Sequence, residues 1–496
     1  MVIATEGSFQ GGGIGEVSGA KIAGALELAL EDNKMERTIY PVIILDTGGV
    51  RLQESNYGLL AIAEIQSVIS ELRQYIPVVG VIPGKIGCFG GMSITAGLFS
   101  KLIVTKEARL TLNGPEVIEQ EAGVNELDSK DKGRIWKTIG GIQRYRTGFA
   151  DILTNDDADA VKKAVTDAFH TSSDVPRCMK IDEYLSMLSS FDPNSPVEPE
   201  ALRNICKTTN PGKAALNKQQ PLRERQTVGS RGEKWFALLS GSLENICKTS
   251  NSVLCADANF GEESVRIISV VPDPLNRFPR ARSGEMGLEE GWTIAKLVRE
   301  AVTADCGKKP RSIIAIVDVP SQAYGYREEL LGLHQSLAAA VDAYAFARRN
   351  RHPVISLIVG NAISGGFLAH GLQGNRIVAL DDPKVLVNAM SEKSAARITK
   401  RSVNEVESAA AVVPGVASDI HSFDSLGAVD RLLNGIHADG PGKDDSDMVV
   451  KILLEEISKV RNGTEDLRNR HESAKAQQGR LMSIKVRQEL RRQWNI

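Results

Sequence analysis

Residues 87–92 read GCFGGM, and a second glycine pair occurs at 365–366, within the sequence GNAISGGFLAHG. Each pair stands between an apolar run typical of a strand and a short run typical of a helix. The first amides of a helix lack intrahelical acceptors, and glycine has no Cβ, so an oxygen of another molecule can reach those amides. For a single pair, a tight corner without a ligand is the alternative.

The two glycine pairs belong to a longer repeated pattern. When the sequence is shifted against itself by 272 to 276 positions, many glycine, proline and apolar positions coincide. The coinciding pairs are Gly15 and Gly287, Gly19 and Gly291, Ile22 and Ile294, Ala23 and Ala295, Ile44 and Ile316, Asp46 and Asp318, Arg73 and Arg349, Pro77 and Pro353, Val78 and Val354, Gly84 and Gly360, and Gly90–Gly91 with Gly365–Gly366. This many coincidences in register predict an internal duplication.

Each copy alternates helical segments with apolar, strand-like segments. Such alternation is typical of parallel strands that are buried on both faces, so we predict an α/β fold. We expect one domain over residues 1–189 and a second over 229–467. Residues 190–228, rich in Pro, Asn, Gln and charge, are expected to form a linker with little core of its own. Residues 468–496 are expected to form a basic helical tail, either solvated or packed on a domain; an anion-binding arm is the alternative.

Composition argues against several classes of protein. A net charge of −2 gives no reason to expect a nucleic acid or a membrane as partner. No stretch reaches the roughly 20 apolar residues that span a bilayer, and the start lacks the features of a signal peptide. The six cysteines form no C-x-x-C pair and the seven histidines form no ligand pattern, which predicts a cytoplasmic protein without a metal.

The chain opens directly on a strand-like segment, MVIATEGSFQGGG. We expect an upstream part of the first domain to be missing. A genuine start with a frayed edge strand is the alternative.

Each copy has a second irregular loop after its first strand, at residues 47–52 and 319–327. Such a loop can aim a second N–H group at the oxygen that the Gly-Gly turn binds. Two converging N–H groups form an oxyanion hole, which suits a thioester carbonyl that becomes an enolate. The sequence contains no G-x-S-x-G elbow and no G-x-x-x-x-G-K-[ST] loop that would indicate other chemistry.

Several long motifs resemble one family. LDTGGVRLQE, GKIGCFGGMSITAGL and LTLNGPEVIEQEAG are similar to the β subunit of biotin-independent malonate decarboxylase, in the carboxyltransferase branch of the crotonase superfamily. VVPDPLNRFPRARSGEMGLEEGW, VDVPSQAYGYREELLG, GNAISGGFLAHG and SAARITKRSV are similar to its γ subunit. The resemblance spans nearly everything except the linker and the tail, and implies two crotonase-like ββα-superhelix domains in one fused chain.

The resemblance also implies an activity and its partners. The expected reaction is decarboxylation of a malonyl thioester to an acetyl thioester and CO2. The thioester is expected on a separate acyl-carrier subunit, on a phosphoribosyl-dephospho-coenzyme A arm, with no cofactor bound covalently to this chain. An acyl-carrier-protein transferase subunit is a further expected partner, and self-association is left open.

The resemblance assigns site residues in both copies. In the first copy, N–H groups of Gly90 or Gly91 would bind the enolate oxygen together with one from Gly49 or Val50. In the second copy, the four residues expected to face the malonyl carboxylate or the leaving CO2 are Gly365, Gly366, Gln322 and Ala323.

A proton donor and a phosphate site are assigned more loosely. His370, Tyr324 and Tyr326 are candidates to protonate the enolate carbon, and a packed helix histidine is the alternative for His370. Three arginines are candidates to bind phosphates of the carrier arm, with surface salt bridges as the alternative. They are Arg277, Arg280 and Arg282. The aspartates at 46 and 318 are expected to brace loops.

Two other functions compete with decarboxylation. The chain would be a biotin-dependent acyl-CoA carboxyltransferase component if its second hole took the carbonyl of biotin on a separate carrier. It would be a non-catalytic scaffold if it only bound acyl-carrier protein. Donor turns in both copies argue against a scaffold.

Overall fold

The architecture is that of a computed structural model, which describes residues 1–171, 175–192, 195–208, 224–241, 245–399, 401–410, 413, 415–463 and 465–494. Two sheets dominate it, one in each half of the chain. The α/β class with parallel strands is as the sequence predicted. In the described part of the chain, no helix is long and apolar enough to cross a membrane.

The first sheet has five parallel strands in the order β1-β2-β3-β4-β5. The second has the order β12-β10-β9-β8-β7-β6, with β11 paired to β9; among the described strands β6 and β7 pair antiparallel and the other neighbours pair parallel. The strands are β1 Val2–Ala4, β2 Val42–Ile44, β3 Val79–Ile82, β4 Lys101–Thr105, β5 Ile152–Thr154, β6 Val253–Phe260, β7 Glu263–Val270, β8 Ser312–Val319, β9 Val354–Ile363, β10 Arg376–Leu380, β11 Val387–Asn388 and β12 Arg431–Leu433.

Helices cover both faces of each sheet. They are α1 Glu16–Lys34, α2 Ser55–Leu72, α3 Gly91–Leu98, α4 Pro115–Ala122, α5 Lys132–Ile139, α6 Gly141–Arg146, α7 Ala158–His170, α8 Ile181–Ser189, α9 Pro199–Thr208, α10 Arg231–Ser240, α11 Leu288–Ala304, α12 Tyr326–Leu330, α13 Leu333–Arg349, α14 Ser364–Ala369, α15 Glu392–Thr399, α16 Val403–Ala410, α17 Ile420–Ser425, α18 Lys443–Arg461, α19 Ala474–Gly479 and α20 Leu481–Trp494.

Corresponding elements of the two halves share unusual details. Gly15 and Gly287 are the N-cap residues of α1 and α11. A Cβ on Gly19 would lie 2.3 Å from that of Ala61, and one on Gly291 would lie 2.4 Å from Ser336 Oγ, so both helices approach their neighbour too closely for a side chain. These equivalences support the predicted duplication, which stays a prediction.

The two halves pack through helices that follow the glycine turns. Helix α13 lies against α2 and α3, and α14 contacts the same two helices. A Cβ on Gly97 of α3 would come within 2.6 Å of the Cβ of Ala338, so the backbone of α3 lies directly against the side chain of Ala338 at this point. Buried apolar residues of both halves form one continuous core. The two halves therefore share one hydrophobic core.

The segment expected to be a linker contributes more to the core than its composition indicates. Residues 199–208 form α9, and Leu202 on that helix is fully buried in the core. The expectation of little core is therefore wrong for α9, because one apolar face is enough to anchor a polar helix. Residues 209–223 of the expected linker lie outside the described residues.

The tail is a domain-packing helix. Helix α20 lies along α1, at the opposite end of the sequence. Arg480 and Arg487 both reach the buried carboxylate of Glu64 on α2, at 2.7 and 2.9 Å. Arg491 pairs with Glu31 at 2.8 Å, and the Trp494 indole N–H donates to an Asp32 carboxylate oxygen at 2.9 Å. The basic residues of the tail thus neutralise acidic residues of α1 and α2.

We expect Glu64→Gln to lower the free energy of unfolding by about 3 kcal/mol, because it leaves Arg480 and Arg487 without their buried counter-charge. Burial raises the pKa of Glu64, but the charges of Arg480, His471 and Arg487 hold that pKa well below its usual value. A carboxylate with a lowered pKa stabilises the fold above its unfolded pKa, and the contribution is lost as pH falls through the folded pKa.

Chemical denaturation of Glu64→Gln at neutral pH measures the loss. The matched control is Glu489→Gln, which removes an exposed tail carboxylate paired with Arg492, and should change stability by less than about 0.5 kcal/mol. Equal effects of the two substitutions would contradict the assignment of Glu64 as the anchor of the tail.

Candidate active site

The first glycine turn has a backbone that only glycine adopts readily. Gly90 precedes α3 with φ 58° and ψ −147°, close to a region essentially restricted to glycine. Gly49, in the loop after β2, has φ 98°. A Cβ on Gly90 would lie 3.3 Å from the Gly49 Cα and 3.8 Å from the Val50 nitrogen. The two loops that the sequence expected to converge therefore touch.

Two of the four proposed donors of the first copy are already engaged. The Gly90 N–H donates to the Leu112 carbonyl at 3.0 Å, and the Gly49 N–H donates to the Thr47 hydroxyl oxygen at 3.0 Å. Among the described residues, the N–H groups of Val50 and Gly91 form none of the backbone hydrogen bonds found in loops, turns and helix caps. Gly91 is the first residue of α3, where the helix dipole adds partial positive charge. Val50 and Gly91 are thus the donors available to a ligand.

The core leaves no room for a side chain at Gly91. A Cβ on Gly91 would lie 2.7 Å from Leu368 Cδ1 and 3.1 Å from Ile62 Cδ1, inside the core between the halves. A larger residue at 91 would therefore push the two halves apart. Gly90 is the position where a side chain would intrude on the Val50 N–H.

The second turn differs from the first by one position. Ser364, which begins α14, has a φ of 59°, close to the φ of 58° at Gly90. Gly365 therefore corresponds to Gly91, so the expected match of Gly90–Gly91 with Gly365–Gly366 is off by one residue. A Cβ on Gly366 would lie 2.6 Å from Val319 Cγ1, so Gly366 is needed for close packing.

The loop facing the second turn fills part of it. The Gly365 N–H donates to the Gln322 side-chain oxygen at 2.9 Å, and the Gln322 side-chain nitrogen donates to Asn113 at 2.8 Å. The Ala323 N–H donates to the Met286 carbonyl at 2.9 Å. The N–H groups of Gly365 and Ala323 are therefore engaged within the protein.

The backbone of that loop nevertheless repeats the first copy. Residues 14 and 50 form a parallel bridge in the first half, and residues 286 and 322 form one in the second, both 272 positions apart. The Gln322 backbone N–H thus takes the place of the Val50 N–H. Within the described residues, neither it nor the Gly366 N–H has an acceptor outside regular structure.

Residues 111–113 hold the two turns together. Leu112 accepts the Gly90 N–H through its carbonyl, and its side chain lies 3.4 Å from where a Gly365 Cβ would be. The Glu329 carboxylate accepts the N–H groups of Leu112 at 3.1 Å and Asn113 at 2.7 Å. Both turns therefore border the same short segment, and the proposed residues of the two copies lie in one place.

His370 does not face that place. Its side chain is fully buried, with Nδ1 2.9 Å from the Tyr344 hydroxyl and Nε2 2.9 Å from the Ile316 carbonyl. Burial lowers the pKa of His370 to about 4, so the ring is neutral at neutral pH. Both ring nitrogens are engaged inside the core, so His370 is a packed histidine, as the alternative interpretation stated. The prediction that His370 donates a proton is therefore wrong.

Tyr324 is better placed to donate a proton. Its hydroxyl interacts with the side chains of Ser321 and Ser364 at the second turn, while burial raises the pKa of Tyr324 to about 12. Tyr326 instead lies under the Arg134 guanidinium, 4.5 Å from the ring centroid. Sequence reasoning missed Ser364, although a serine directly before the Gly-Gly pair was the available signal.

The three arginines expected to bind phosphate are engaged in the protein. Arg277 pairs with Glu289 at 2.6 Å, and Arg280 pairs with Glu126 at 3.1 Å. Arg282 donates to the Asn276 carbonyl at 2.9 Å. The salt-bridge alternative thus describes Arg277 and Arg280.

Of the two aspartates expected to brace loops, Asp46 binds loop residues and, within the described part of the chain, Asp318 does not. Asp46 accepts the N–H groups of Ile86 at 2.7 Å and Gly87 at 3.1 Å. Asp318 accepts the Asn361 N–H at 3.1 Å. Asp46 thus fixes the loop that leads into the first glycine turn, whereas Asp318 binds a residue of strand β9. Among the described residues, no group of three His, Cys, Asp or Glu side chains is arranged to hold a metal ion.

Known proteins share these sequences. The family model for the malonate decarboxylase gamma subunit matches residues 281–494. This range includes nearly all of the expected basic tail, residues 468–496. Two Malonomonas rubra proteins are similar: the malonyl-S-ACP:biotin-protein carboxyltransferases MADC, 41% identical over 176 residues, and MADD, 35% identical over 184 residues. These alignments cover 34 and 36% of this chain but only 55 and 63% of the relatives' own length.

Solved structures extend the match. A chain of the Pseudomonas malonate decarboxylase hetero-tetramer in complex with coenzyme A is 50% identical, with a TM-score of 0.51. A chain of the Pseudomonas MdcD-MdcE hetero-dimer is 49% identical, with a TM-score of 0.50. Each alignment covers 53% of this chain and the whole of the solved chain. With a solved relative covered in full at this identity, the chain belongs to the malonate decarboxylase family.

Proposed function

We propose that this chain decarboxylates a malonyl thioester to an acetyl thioester and CO2. The observation that carries the proposal is the pair of unengaged N–H groups at Val50 and Gly91, on two loops that touch beside the glycine at 90. The names of the relatives support the substrate, since they include malonate decarboxylase and malonyl-S-ACP carboxyltransferases.

The thioester carbonyl would sit at the first turn. When the bond between the carboxylate and the methylene carbon breaks, CO2 leaves and its electron pair moves onto the thioester, which becomes an enolate. The Val50 and Gly91 N–H groups would bind the enolate oxygen more tightly than the neutral carbonyl, which lowers the barrier. Gly90 and Gly49 would keep the approach to these donors open.

The malonyl carboxylate would face the second turn. The unengaged N–H groups there are the backbone amides of Gln322 and Gly366, and the side chain of Gln322 lies between them and the first half. Partial positive charge at the start of α14 would orient the carboxylate, and an uncharged CO2 would then leave it readily.

Tyr324 would complete the reaction by giving its hydroxyl proton to the enolate carbon, which yields the acetyl thioester. Its raised pKa keeps the hydroxyl protonated at neutral pH. Ser321 and Ser364, which interact with that hydroxyl, would return a proton from water.

The substrate is proposed to arrive on a separate acyl-carrier subunit with a phosphoribosyl-dephospho-coenzyme A arm, charged with the help of a transferase subunit. Arg280 is the arginine of the three that borders the site, since its Cγ lies 3.1 Å from where a Gly325 Cβ would be. Arg280 is also partly exposed, so it is the one that remains a candidate for contact with the arm.

A second candidate function is transfer of the carboxyl group to biotin. The observation that favours it is the similarity to the two Malonomonas rubra relatives, which are malonyl-S-ACP:biotin-protein carboxyltransferases. The two functions share the enolate step and differ only in the fate of the CO2.

The assay that tests the function measures CO2 release by the purified chain. We expect none from free malonate, because a carboxylate already carries the charge that an enolate oxygen must gain. We expect release from the malonyl-charged carrier subunit, with no effect of avidin. Decarboxylation of free malonate would contradict the proposal, and avidin inhibition would favour the biotin-dependent function.

The first turn is tested by Gly90→Ala. The new methyl lies beside the Val50 N–H, and loss of one oxyanion donor typically lowers kcat about 100- to 1,000-fold. The strained backbone also costs about 1–3 kcal/mol of stability. Gly307→Ala is the control, since Gly307 has φ 76° but open space around it, so it brings similar strain without loss of turnover. Near-normal kcat in folded Gly90→Ala would refute the hole.

The proton donor is tested by Tyr324→Phe, with Tyr326→Phe as the matched control. We expect kcat to fall about 100-fold or more in the first variant and to stay near normal in the second, while KM changes little in both. A pKa of about 12 also predicts that wild-type kcat does not decline through this group between pH 7 and 9. Equal kcat values for the two variants would reject Tyr324 as the donor.

A further inference from the structure

A cavity of about 230 Å³ lies between the two halves, away from the glycine turns. It is bounded by the C-terminal ends of α1, α2 and α13 and by the segment after α18. The α2 residues that line it are Ser67 and Glu71, 12 or more residues beyond the start of the helix. At 1.5 Å per residue the cavity is therefore about 20 Å from the end of α2 that follows the site loop.

The acidic residues of this cavity all have basic partners. Glu71 pairs with Lys34. Asp466 pairs with Arg468 at 2.5 Å, and Glu465 pairs with Arg351 at 3.1 Å. These carboxylates are neutralised without help from the two arginines that end α13.

Arg348 and Arg349 have no such partners. Within the described residues neither forms an ion pair. Arg348 is only 3% exposed and donates to neutral acceptors, the Ser67 hydroxyl at 2.8 Å and the Gln373 carbonyl. One terminal nitrogen of Arg349, Nη1, is buried without any hydrogen-bond acceptor among those residues.

The surroundings disfavour the positive charge of Arg348. Burial, together with the neighbouring charges of Arg470 and Arg349, lowers the pKa of Arg348 to about 9. The carboxylates of Glu71 and Asp466 oppose that change but are shared with their own partners. Burying an unpaired guanidinium is costly, and the cost falls when a counter-ion is bound beside it.

We propose that this cavity binds a small oxyanion, a phosphate or a short carboxylate, between Arg348 and Arg349. Guanidinium groups offer only donors, in a geometry that matches the oxygens of such anions. The anion would contact α13 from the second half and the ends of α1 and α2 from the first. It therefore joins the two halves, and this role is independent of the proposed decarboxylation.

Thermal unfolding of the full chain tests the site. The probes are sodium phosphate and sodium malonate, each compared with sodium chloride at equal ionic strength. We expect a saturable rise of Tm by a few degrees with at least one of the two anions and none with chloride. The anion with the lower half-saturation concentration identifies the source of the oxyanion.

Arg349→Met removes the unpaired charge and should abolish the rise, while Arg349→Lys should keep part of it. In chloride alone Arg349→Met should not lower Tm, because no counter-ion is lost; a merely structural arginine would give a lower Tm there. Arg146→Met, which removes an exposed arginine of α6, is the control and should keep the full rise. No rise with either anion, an unchanged rise in Arg349→Met, or a lower Tm of that variant in chloride overturns the proposal.

Discussion

The buried carboxylate of Glu329 fixes the relation between the two glycine turns. It belongs to the second half, yet it accepts two backbone N–H groups and a hydroxyl from residues 111–113 of the first half. Burial raises the pKa of Glu329, and these donors together with the charge of Arg144, 4.0 Å away, oppose the rise. Because the same residues 111–113 accept from Gly90 and lie against Gly365, a shift of Glu329 would displace both turns at once.

The two turns are alike in backbone but differ in occupancy. Gly90 and Ser364 share a positive φ, and the loop opposite each turn makes the same parallel bridge. In the first copy the next N–H group, that of Gly91, is available to a ligand. In the second copy the Gly365 N–H donates to the carboxamide oxygen of Gln322. In the proposed mechanism the first turn binds the thioester oxygen. The second turn places the polar, uncharged carboxamide of Gln322 near the carboxylate that leaves as CO2.

Sequence reasoning predicted what depends on local pattern. Apolar runs gave the parallel strands, and the two glycine turns were found from their flanking segments. The pairing of the turns was wrong by one position because a serine adopts the backbone that the first copy gives to glycine. His370 failed because only the fold shows that Tyr344 and Ile316 engage both of its nitrogens. The ion pair between Arg280 and Glu126 could not be predicted for the same reason, because the two residues are 154 positions apart in the sequence.

The junction between the halves combines tight packing with uneven charge. At Gly97 the backbone of α3 lies against the side chain of Ala338 on α13, and the tail pairs its arginines with acids of α1 and α2. At the far end of α13, however, Arg348 and Arg349 form no ion pair with any described residue. Covalent connection of two domains raises their effective concentration, so a junction within one chain needs less binding free energy of its own than a contact between separate subunits. Such a junction tolerates two buried guanidinium groups without a close ion pair more easily than a subunit contact would, whereas the first turn is held by the hydrogen bonds that Glu329 accepts from residues 111–113.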